Sequence, residues 1–232
     1  MRRLFEPILA GATLRDRLLA CVGGLLGILG TSWISFSIMG DANALPFIVA
    51  PMGASAVLVF AVPSSPLAQP WPVIGGNAIS ALVGVLCAHV FQSPHLAAGS
   101  AVGLAILAMS LARCLHPPGG AAALTAVIGG KAISSAGFGI AMLPFSLNAV
   151  CLVVIGILYH RASGHSYPHR PQLTGNHPVA ERGLAPAHPE DIAAALSDLG
   201  ETYDISADDL ELIIRRVDHH TELRQIEKSL NA

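Results

Sequence analysis

Long apolar runs separated by short polar stretches make up most of the chain as far as residue 160. Four of these runs, residues 18–39, 73–91, 95–112 and 138–159, come close to the roughly 20 residues that a helix needs to cross a bilayer. All four are rich in glycine and alanine, which is typical of membrane helices that pack closely. The first run is well beyond the roughly 7–15 apolar residues of a signal peptide. The pattern therefore predicts four retained membrane-spanning helices.

Two further apolar stretches, residues 44–62 and 116–130, are shorter and carry proline and glycine near their starts. Proline lacks an N–H group and disfavours the helical region for the residue before it, but it fits well at the first position of a helix. We therefore predict irregular backbone followed by a short helix in each stretch. In particular, we expect extended backbone at Ala50 and His116, and helices that begin at Pro51 and at Pro117 or Pro118.

The two short stretches share the pattern P-x-G-small-small-A-x-L, at residues 51–58 and 117–124. Beyond each of them, a proline precedes an Asn-Ala pair early in the next apolar run, with Asn77 in the first half and Asn148 in the second. The chain thus resembles two copies of one unit, which consists of a membrane span, a broken element and a second span. Because each copy has an odd number of crossings, the copies would be inverted in the membrane, and we predict such a repeat.

Charged residues are scarce within the apolar region and gather after it. They make up 12% of the chain, about half the fraction found in a soluble domain, and between residues 18 and 159 they are only Asp41, Arg113 and Lys131. Arginines precede the first run and follow the last, which predicts that both termini are cytoplasmic. An even number of crossings follows, either six or four with two re-entrant loops. The predicted fold is an all-α polytopic membrane helix bundle with a short helical C-terminal tail.

The two broken elements are the predicted functional site. Irregular backbone survives at membrane depth only inside protein or beside water, and interrupted segments in matching positions of two halves point to a transport site. Half-helices that start near Gly53 and Gly119 would aim unpaired N–H groups and positive dipole ends at a small anion. The candidate substrate-binding residues are Pro51, Gly53, Ser55, Asn77, Arg113, His116, Pro117, Pro118, Gly119, Gly120 and Asn148.

Structural roles compete with binding at several of these positions. Arg113 could anchor a helix end by extending to the membrane surface, and His116 could cap the backbone at the break. The two asparagines, Asn77 and Asn148, could bond between helices, and Ser55 could bond to its own helix. With no carboxylate predicted inside a span, passive permeation is the simpler expectation, although a histidine could relay a proton.

The segments APMGASAVLVFAVPSSPLAQPWPVIGGN at residues 50–77 and HPPGGAAAL at residues 116–124 resemble the HPP family of integral membrane proteins, which is named for its His-Pro-Pro. The resemblance covers most of the apolar region. Members in plastids and cyanobacteria are associated with nitrite transport, and most bacterial members have no assigned substrate. The resemblance therefore implies a small-anion transporter, with nitrite as the lead candidate, in the inner membrane of a bacterium.

The last part of the chain has a different composition. Residues 161–189, rich in proline, glycine and histidine, are predicted to link a membrane domain (residues 1–160) to a cytoplasmic helical tail (residues 190–232). Apolar residues at helical spacing in the tail need a partner surface, which could be the tail itself, the membrane, a second copy of the chain or another subunit. The run at residues 189–217 resembles the lead into the nucleotide-sensing CBS domains of longer family members. Since the sequence ends at Ala232, we expect no CBS pair.

Other classes of function find little support. The sequence contains no nucleophile elbow, no His-Glu-x-x-His zinc motif and no phosphate-binding loop, so we predict neither an enzyme nor a cofactor or metal. A net charge of −2 without a basic cluster does not suit nucleic acid. The expected partners are the lipid bilayer and a small anion. A tail-mediated interaction or regulatory role is the alternative.

Overall fold

The computed structural model describes residues 13–40, 46–169 and 189–199, together with residues 205, 210, 211, 213, 214, 217–221, 223 and 224. The chain divides into two compact units. One is Arg15–Arg170, which we call the membrane body, and the other combines Met1–Leu14 with Pro171–Ala232. Throughout the described residues the regular structure is helical, with no strand.

The membrane body contains seven α-helices among its described residues. In chain order they are α1 (Leu14–Met39), α2 (Pro51–Ala61), α3 (Pro70–Val90), α4 (Pro94–Leu111), α5 (Pro118–Ile128), α6 (Gly130–Ala136) and α7 (Leu147–Ser163). A short 3₁₀ helix, Pro66–Ala68, precedes α3. The helical stretch Gly130–Ser163 is divided between α6 and α7 by a 3₁₀ segment, Gly137–Ala141, and by a kink at Leu143, whose φ of −131° and ψ of 116° are not helical.

Four helices are long and apolar enough to cross a membrane: Leu14–Met39, Pro70–Val90, Pro94–Leu111 and Gly130–Ser163. Each contains or overlaps one of the four predicted spans, so the predicted all-α polytopic membrane helix bundle is confirmed. The helices begin at or before the predicted positions because Pro70 and Pro94 are tolerated at the first turn, where no helical N–H is needed.

The two short helices are also confirmed. Both α2 and α5 contain 11 residues and begin at a proline, Pro51 or Pro118. At 1.5 Å per residue each is about 16 Å long, roughly half of a 30 Å hydrocarbon core. The prediction of extended backbone at Ala50 is wrong, because its φ of −52° and ψ of −37° are helical. Bonds from the Met52 and Gly53 N–H groups to the carbonyls of Val49 and Ala50 hold this tight turn against the preference of a residue before proline.

Each half-helix lies beside a long helix from the other half of the chain. The α2 carbonyl of Val59 is 2.8 Å from Nε2 of His160, near the end of α7, while Val49, just before α2, donates its N–H to Asn148 near the start of α7. Helices α2 and α7 therefore run side by side in the same direction. Glycines of α3 meet successive parts of the α5 region in the same way: Gly76 approaches His116, and Gly84 approaches Ala123 and Ala126.

Both ends of the membrane body lie on one side. The Tyr159 hydroxyl, near the end of α7, donates to the carbonyl of Leu19, near the start of α1, over 2.7 Å. Tyr167 follows α7 and donates to Ala68 in the loop between α2 and α3. We call this the entry side. Within the described residues, four helical stretches are long enough to cross a membrane, while α2 and α5 are shorter. The choice between six crossings and four with two re-entrant loops therefore stays a prediction.

The tail unit contains α8, Pro189–Leu199, with Ile192 and Leu196 buried. Ile205, Leu210 and Ile214 pack against this pair. The helix that apolar spacing predicts at the start of the tail is thus present. The sequence also predicts that this helix ends at Gly200, that Ser206 and Asp209 cap a second helix, and that the second helix reaches Ile226 and Leu230. These five positions lie outside the described residues.

Candidate functional site

A hydrogen bond joins the two broken elements at their centre. Oγ of Ser55, in the second turn of α2, lies 2.8 Å from Nε2 of His116, just before α5, and both side chains are fully buried. Nδ1 of His116 lies 2.8 Å from the carbonyl oxygen of Leu67. Because that oxygen can only accept, Nδ1 carries the proton and Nε2 of the neutral ring accepts from the Ser55 hydroxyl.

Asn77 of α3 extends this chain of hydrogen bonds into the bundle. Its Nδ2 group donates to Ser55 Oγ over 3.3 Å and to the carbonyl of Val73 over 2.8 Å. The hydrogen bonds of this network all point the same way: the Asn77 amide donates to the Ser55 hydroxyl, which donates to the His116 ring, and the ring donates to the carbonyl of Leu67 on the entry side. In contrast, Oδ1 of Asn77 is buried and has no hydrogen-bond partner among the described residues.

Ser80 lies one turn beyond Asn77, and its buried hydroxyl also has no described hydrogen-bond partner; Thr31 Oγ1 and His160 Nδ1 are further such atoms elsewhere in the bundle. A Cβ built on Gly119, in the first turn of α5, would stand 2.6 Å from Ser80 Oγ and 2.7 Å from the sulfur of Met109. The hydroxyl therefore faces the N-terminal turn of α5. We call Ser55, Asn77, Ser80, His116 and Gly119 the junction cluster.

Glycine at position 76 allows α3 to approach the second break. A Cβ there would lie 2.5 Å from Cβ of His116 and 2.9 Å from the backbone oxygen of Cys114. The indole N–H of Trp71, one turn earlier, donates to the carbonyl of Ala112 over 3.1 Å. Helix α3 thus supplies both the packing surface and a hydrogen bond that position His116.

The N–H groups at the starts of the half-helices are not free to bind a ligand. Four of them already donate to nearby carbonyls over 2.8–3.1 Å: Met52 to Val49, Gly53 to Ala50, Gly119 to His116, and Gly120 to Pro117. The prediction of unpaired N–H groups near Gly53 and Gly119 is therefore wrong, because tight turns before each helix bring carbonyls within reach. The positive end of each helix dipole remains at the same place.

Asn148, like Asn77, precedes an alanine early in a long apolar run, but all its polar atoms are hydrogen-bonded. Its Oδ1 accepts from the Val49 N–H over 3.0 Å, and its Nδ2 donates to Ser35 Oγ over 2.8 Å and to the carbonyl of Phe47 over 3.0 Å. Asn148 therefore holds the backbone of the first break in place and lies outside the junction cluster.

Arg113 is exposed and has a positive φ of 53°. Its N–H donates to Ser110, and the N–H of Cys114 donates to Met109. These two bonds form the Schellman motif that ends many helices, with arginine at the position where glycine is usual. The structure thus gives Arg113 a role in ending α4 and does not bring its side chain to the junction cluster.

The remaining predicted residues lie at the ends of the half-helices. Pro51 and Pro118 are buried first residues of α2 and α5, Gly53 and Pro117 are exposed, and Gly120 is partly buried. Of the predicted residues, the structure brings together Ser55, Asn77, His116 and Gly119. Ser80 and the carbonyl of Leu67 were not predicted, although the spacing of Ser80 three residues after Asn77 puts both on one helix face.

Metal ligation finds no support in the described part of the chain, where no three His, Cys, Asp or Glu side chains gather. The four cysteines are free thiols. The chemistry of the junction cluster is therefore that of neutral hydrogen-bonding groups at the positive end of a helix.

Comparisons with known proteins agree with this architecture. The family model of the HPP transmembrane region matches residues 10–168 of the sequence. Two proteins of Dictyostelium discoideum described as transmembrane proteins are similar: one is 35% identical over 61% of this chain and 51% of its own length, the other 30% identical over 63% and 48%. The chain thus spans about half the length of these relatives. No solved structure matches.

Proposed function

We propose that this chain, which belongs to the HPP family of membrane proteins, carries a small inorganic anion across the membrane, with nitrite as the lead candidate. The observation that carries the proposal is the junction cluster. Two half-length helices meet there through the Ser55–His116 bond, and Asn77 and Ser80 have buried polar atoms with no described partner. Buried polar groups in native proteins are normally paired, so unpaired ones in a transmembrane bundle favour a binding site.

The helix dipoles support a ligand with negatively charged oxygen. A helix end carries roughly half a positive charge, and its effect falls off within one turn. Gly119 lies within the first turn of α5, and Ser80 Oγ faces it. To admit a nitrite oxygen, Ser80 and the first turn of α5 would have to move apart, because a Cβ on Gly119 would already stand 2.6 Å from Ser80 Oγ. The oxygen would then meet both the hydroxyl of Ser80 and the positive end of α5. The substrate identity rests on the family resemblance, and the place rests on this geometry.

Passive movement is the mode that we propose. The sequence contains no aspartate or glutamate between residues 46 and 169, and the network from Asn77 to Leu67 consists of neutral groups. Such a path would let the substrate follow its concentration gradient.

Nitrite uptake into proteoliposomes tests this function. His116→Ala and Ser55→Ala should each lower the initial rate about tenfold or more, because either change breaks the network at the junction, and a lost hydrogen bond to a substrate position costs about a factor of ten. Ser110→Ala is the matched control, since Ser110 is exposed and bonds only to its own helix. Native protein that moves neither nitrite nor any other small anion would reject the proposal.

We also propose that the protein lies in the bacterial inner membrane with both termini in the cytoplasm. Arg15 and Arg17 at the start of α1 and Arg161 in the last turn of α7 are on the entry side, and positive residues favour the cytoplasmic face. Protease added to intact spheroplasts should spare tags at both ends of the chain. Cleavage of either tag without lysis would place the entry side outside.

The tail supports a second candidate, an interaction or regulatory role. Ile192 and Leu196 are buried within the tail unit, but Ile213, Val217 and Leu223 are about half exposed. An exposed apolar face on helical residues favours a partner. Deleting the residues after Ala180 should then change the oligomeric state or abolish binding of a second subunit. If the truncated protein keeps both its oligomeric state and its transport rate, this candidate fails.

A further inference from the structure

The junction cluster offers a ligand two different hydrogen-bonding groups. Ser80 Oγ can donate or accept, whereas Asn77 Oδ1 is an amide oxygen that can only accept. The two atoms of the Asn77 amide can be told apart because Nδ2 donates to the carbonyl of Val73 and to Ser55 Oγ, so that the atom without a partner is the oxygen, Oδ1. A ligand that satisfies both groups must bring a hydrogen of its own to Asn77 and present an oxygen to Ser80.

A bare anion does not meet that requirement. Nitrite has oxygen and nitrogen lone pairs and no hydrogen, so its charge would face the negative end of the Asn77 carbonyl dipole. Burial of an ion without a paired charge is also costly, typically several kcal/mol even after relaxation. Arg113, the cationic residue nearest to His116 in sequence, is exposed at the end of α4.

The protonated acid does meet it. In nitrous acid the O–H group can donate to Asn77 Oδ1 while the second oxygen accepts from Ser80 Oγ, and the molecule carries no net charge. The helix dipole at Gly119 favours the partial negative charge of that second oxygen. The same two contacts would suit any small weak oxyacid with one O–H group.

We propose that Asn77 Oδ1 and Ser80 Oγ, beside Gly119, form a binding position for a small weak acid in its neutral, protonated form. This inference rests on the proposed function and specifies the species that moves. Nitrite takes up one proton from water on one side, crosses as nitrous acid and releases the proton on the other side. Each nitrite is therefore accompanied by one proton, and no net charge crosses the membrane.

Ser80→Ala tests the position, with Ser110→Ala as the matched control. Ser80 makes no hydrogen bond in the described structure, so a purely structural role predicts no loss of transport. As a binding group, its removal should slow nitrite uptake about tenfold, while the melting temperature stays at or above the native value because an unpaired buried hydroxyl has been removed. A folded Ser80→Ala protein that transports at the native rate would overturn the proposed binding position. The Ser80 hydroxyl would then bind a water molecule only.

The charge state is tested in proteoliposomes that contain the pH dye pyranine, after subtraction of the leak through protein-free vesicles. At constant total nitrite the protein-dependent rate should rise about tenfold from pH 7 to pH 6, because the protonated fraction rises tenfold. The lumen should acidify, and a potassium diffusion potential should not change the rate. An uptake rate that is independent of pH and changes with the membrane potential would show that the anion, and not the neutral acid, is transported. If neither kind of uptake occurs, the proposed function fails, and this inference fails with it.

Discussion

Asn77 and Asn148 lie at matching points of the predicted repeat, yet the structure predicts that their loss has unequal consequences. Asn148→Ala removes the acceptor for the buried N–H of Val49 and the donor to Ser35 and Phe47. A buried donor left unpaired costs about 1–3 kcal/mol, and each further lost bond costs about 0.5–1.5 kcal/mol. We expect Asn148→Ala to lower the free energy of unfolding by roughly 2–6 kcal/mol.

Asn77→Ala should be much milder. It removes one bond to Ser55 and one to Val73 of its own helix, but it also removes an unpaired buried oxygen that is itself unfavourable. The two effects partly cancel, and the expected loss is about 0–2 kcal/mol. Transport should nevertheless be lost in Asn77→Ala, because the substrate would lose its acceptor.

Chemical unfolding in a mild detergent, followed by tryptophan fluorescence, measures the difference. Trp71 is a suitable reporter because its indole N–H bonds to Ala112 across the junction between α3 and the second break. The reasoning is refuted if the two variants lose equal stability, or if Asn148→Ala unfolds within about 1 kcal/mol of the native protein. Equal losses would mean that Asn77 stabilises the fold as much as Asn148 does, and a near-native Asn148→Ala would mean that the first break does not depend on Asn148.

Three further predictions concern packing and helix ends. Gly84→Ala should lower the free energy of unfolding by about 1–3 kcal/mol, because its Cβ would meet the Ala123 backbone and would lie 2.7 Å from Cβ of Ala126. Gly103→Ala is the control, since a Cβ there would have nothing within 4 Å. Equal melting temperatures of the two variants would contradict the close α3–α5 contact. Arg113→Gly should stabilise the protein by roughly 1 kcal/mol and leave nitrite uptake unchanged; reduced uptake would return Arg113 to the binding site. Tyr167→Phe should cost about 0.5–1.5 kcal/mol through its bond to Ala68, and an unchanged melting temperature would show that this bond contributes nothing.

The fold could be predicted because its main signals are local. Run length and apolar composition locate the spans, and proline at positions 51 and 118 fixes where α2 and α5 begin, since proline fits only in the first turn of a straight helix. Where the prediction failed, the cause was a competing local bond. Ala50 is helical because its carbonyl accepts from the Gly53 N–H, an effect that a rule about the residue before proline does not include.

Part of the junction cluster could be singled out from the sequence for a different reason. Ser55, Asn77 and His116 are polar residues in apolar surroundings, and that contrast is visible in the sequence. Ser80 was missed because a serine in a membrane helix usually bonds to its own backbone, and only the pairing of α3 with α5 places it at Gly119. The unequal roles of Asn77 and Asn148 likewise depend on which half-helix each one meets.

The central claim is that substrate passes between Ser80 and the first turn of α5, and the most direct test is nitrite uptake by Gly119→Ala beside Gly103→Ala. The new Cβ at residue 119 would stand 2.6 Å from Ser80 Oγ and 2.7 Å from the Met109 sulfur. The Ser80 hydroxyl and the Met109 thioether can both shift by rotation about side-chain bonds, and the nearest backbone atom, the oxygen of Gly76, lies 3.1 Å from the new Cβ, so the protein should still fold. The account predicts a folded Gly119→Ala protein whose uptake is lost, with native uptake in Gly103→Ala. Native uptake in a folded Gly119→Ala protein would contradict it.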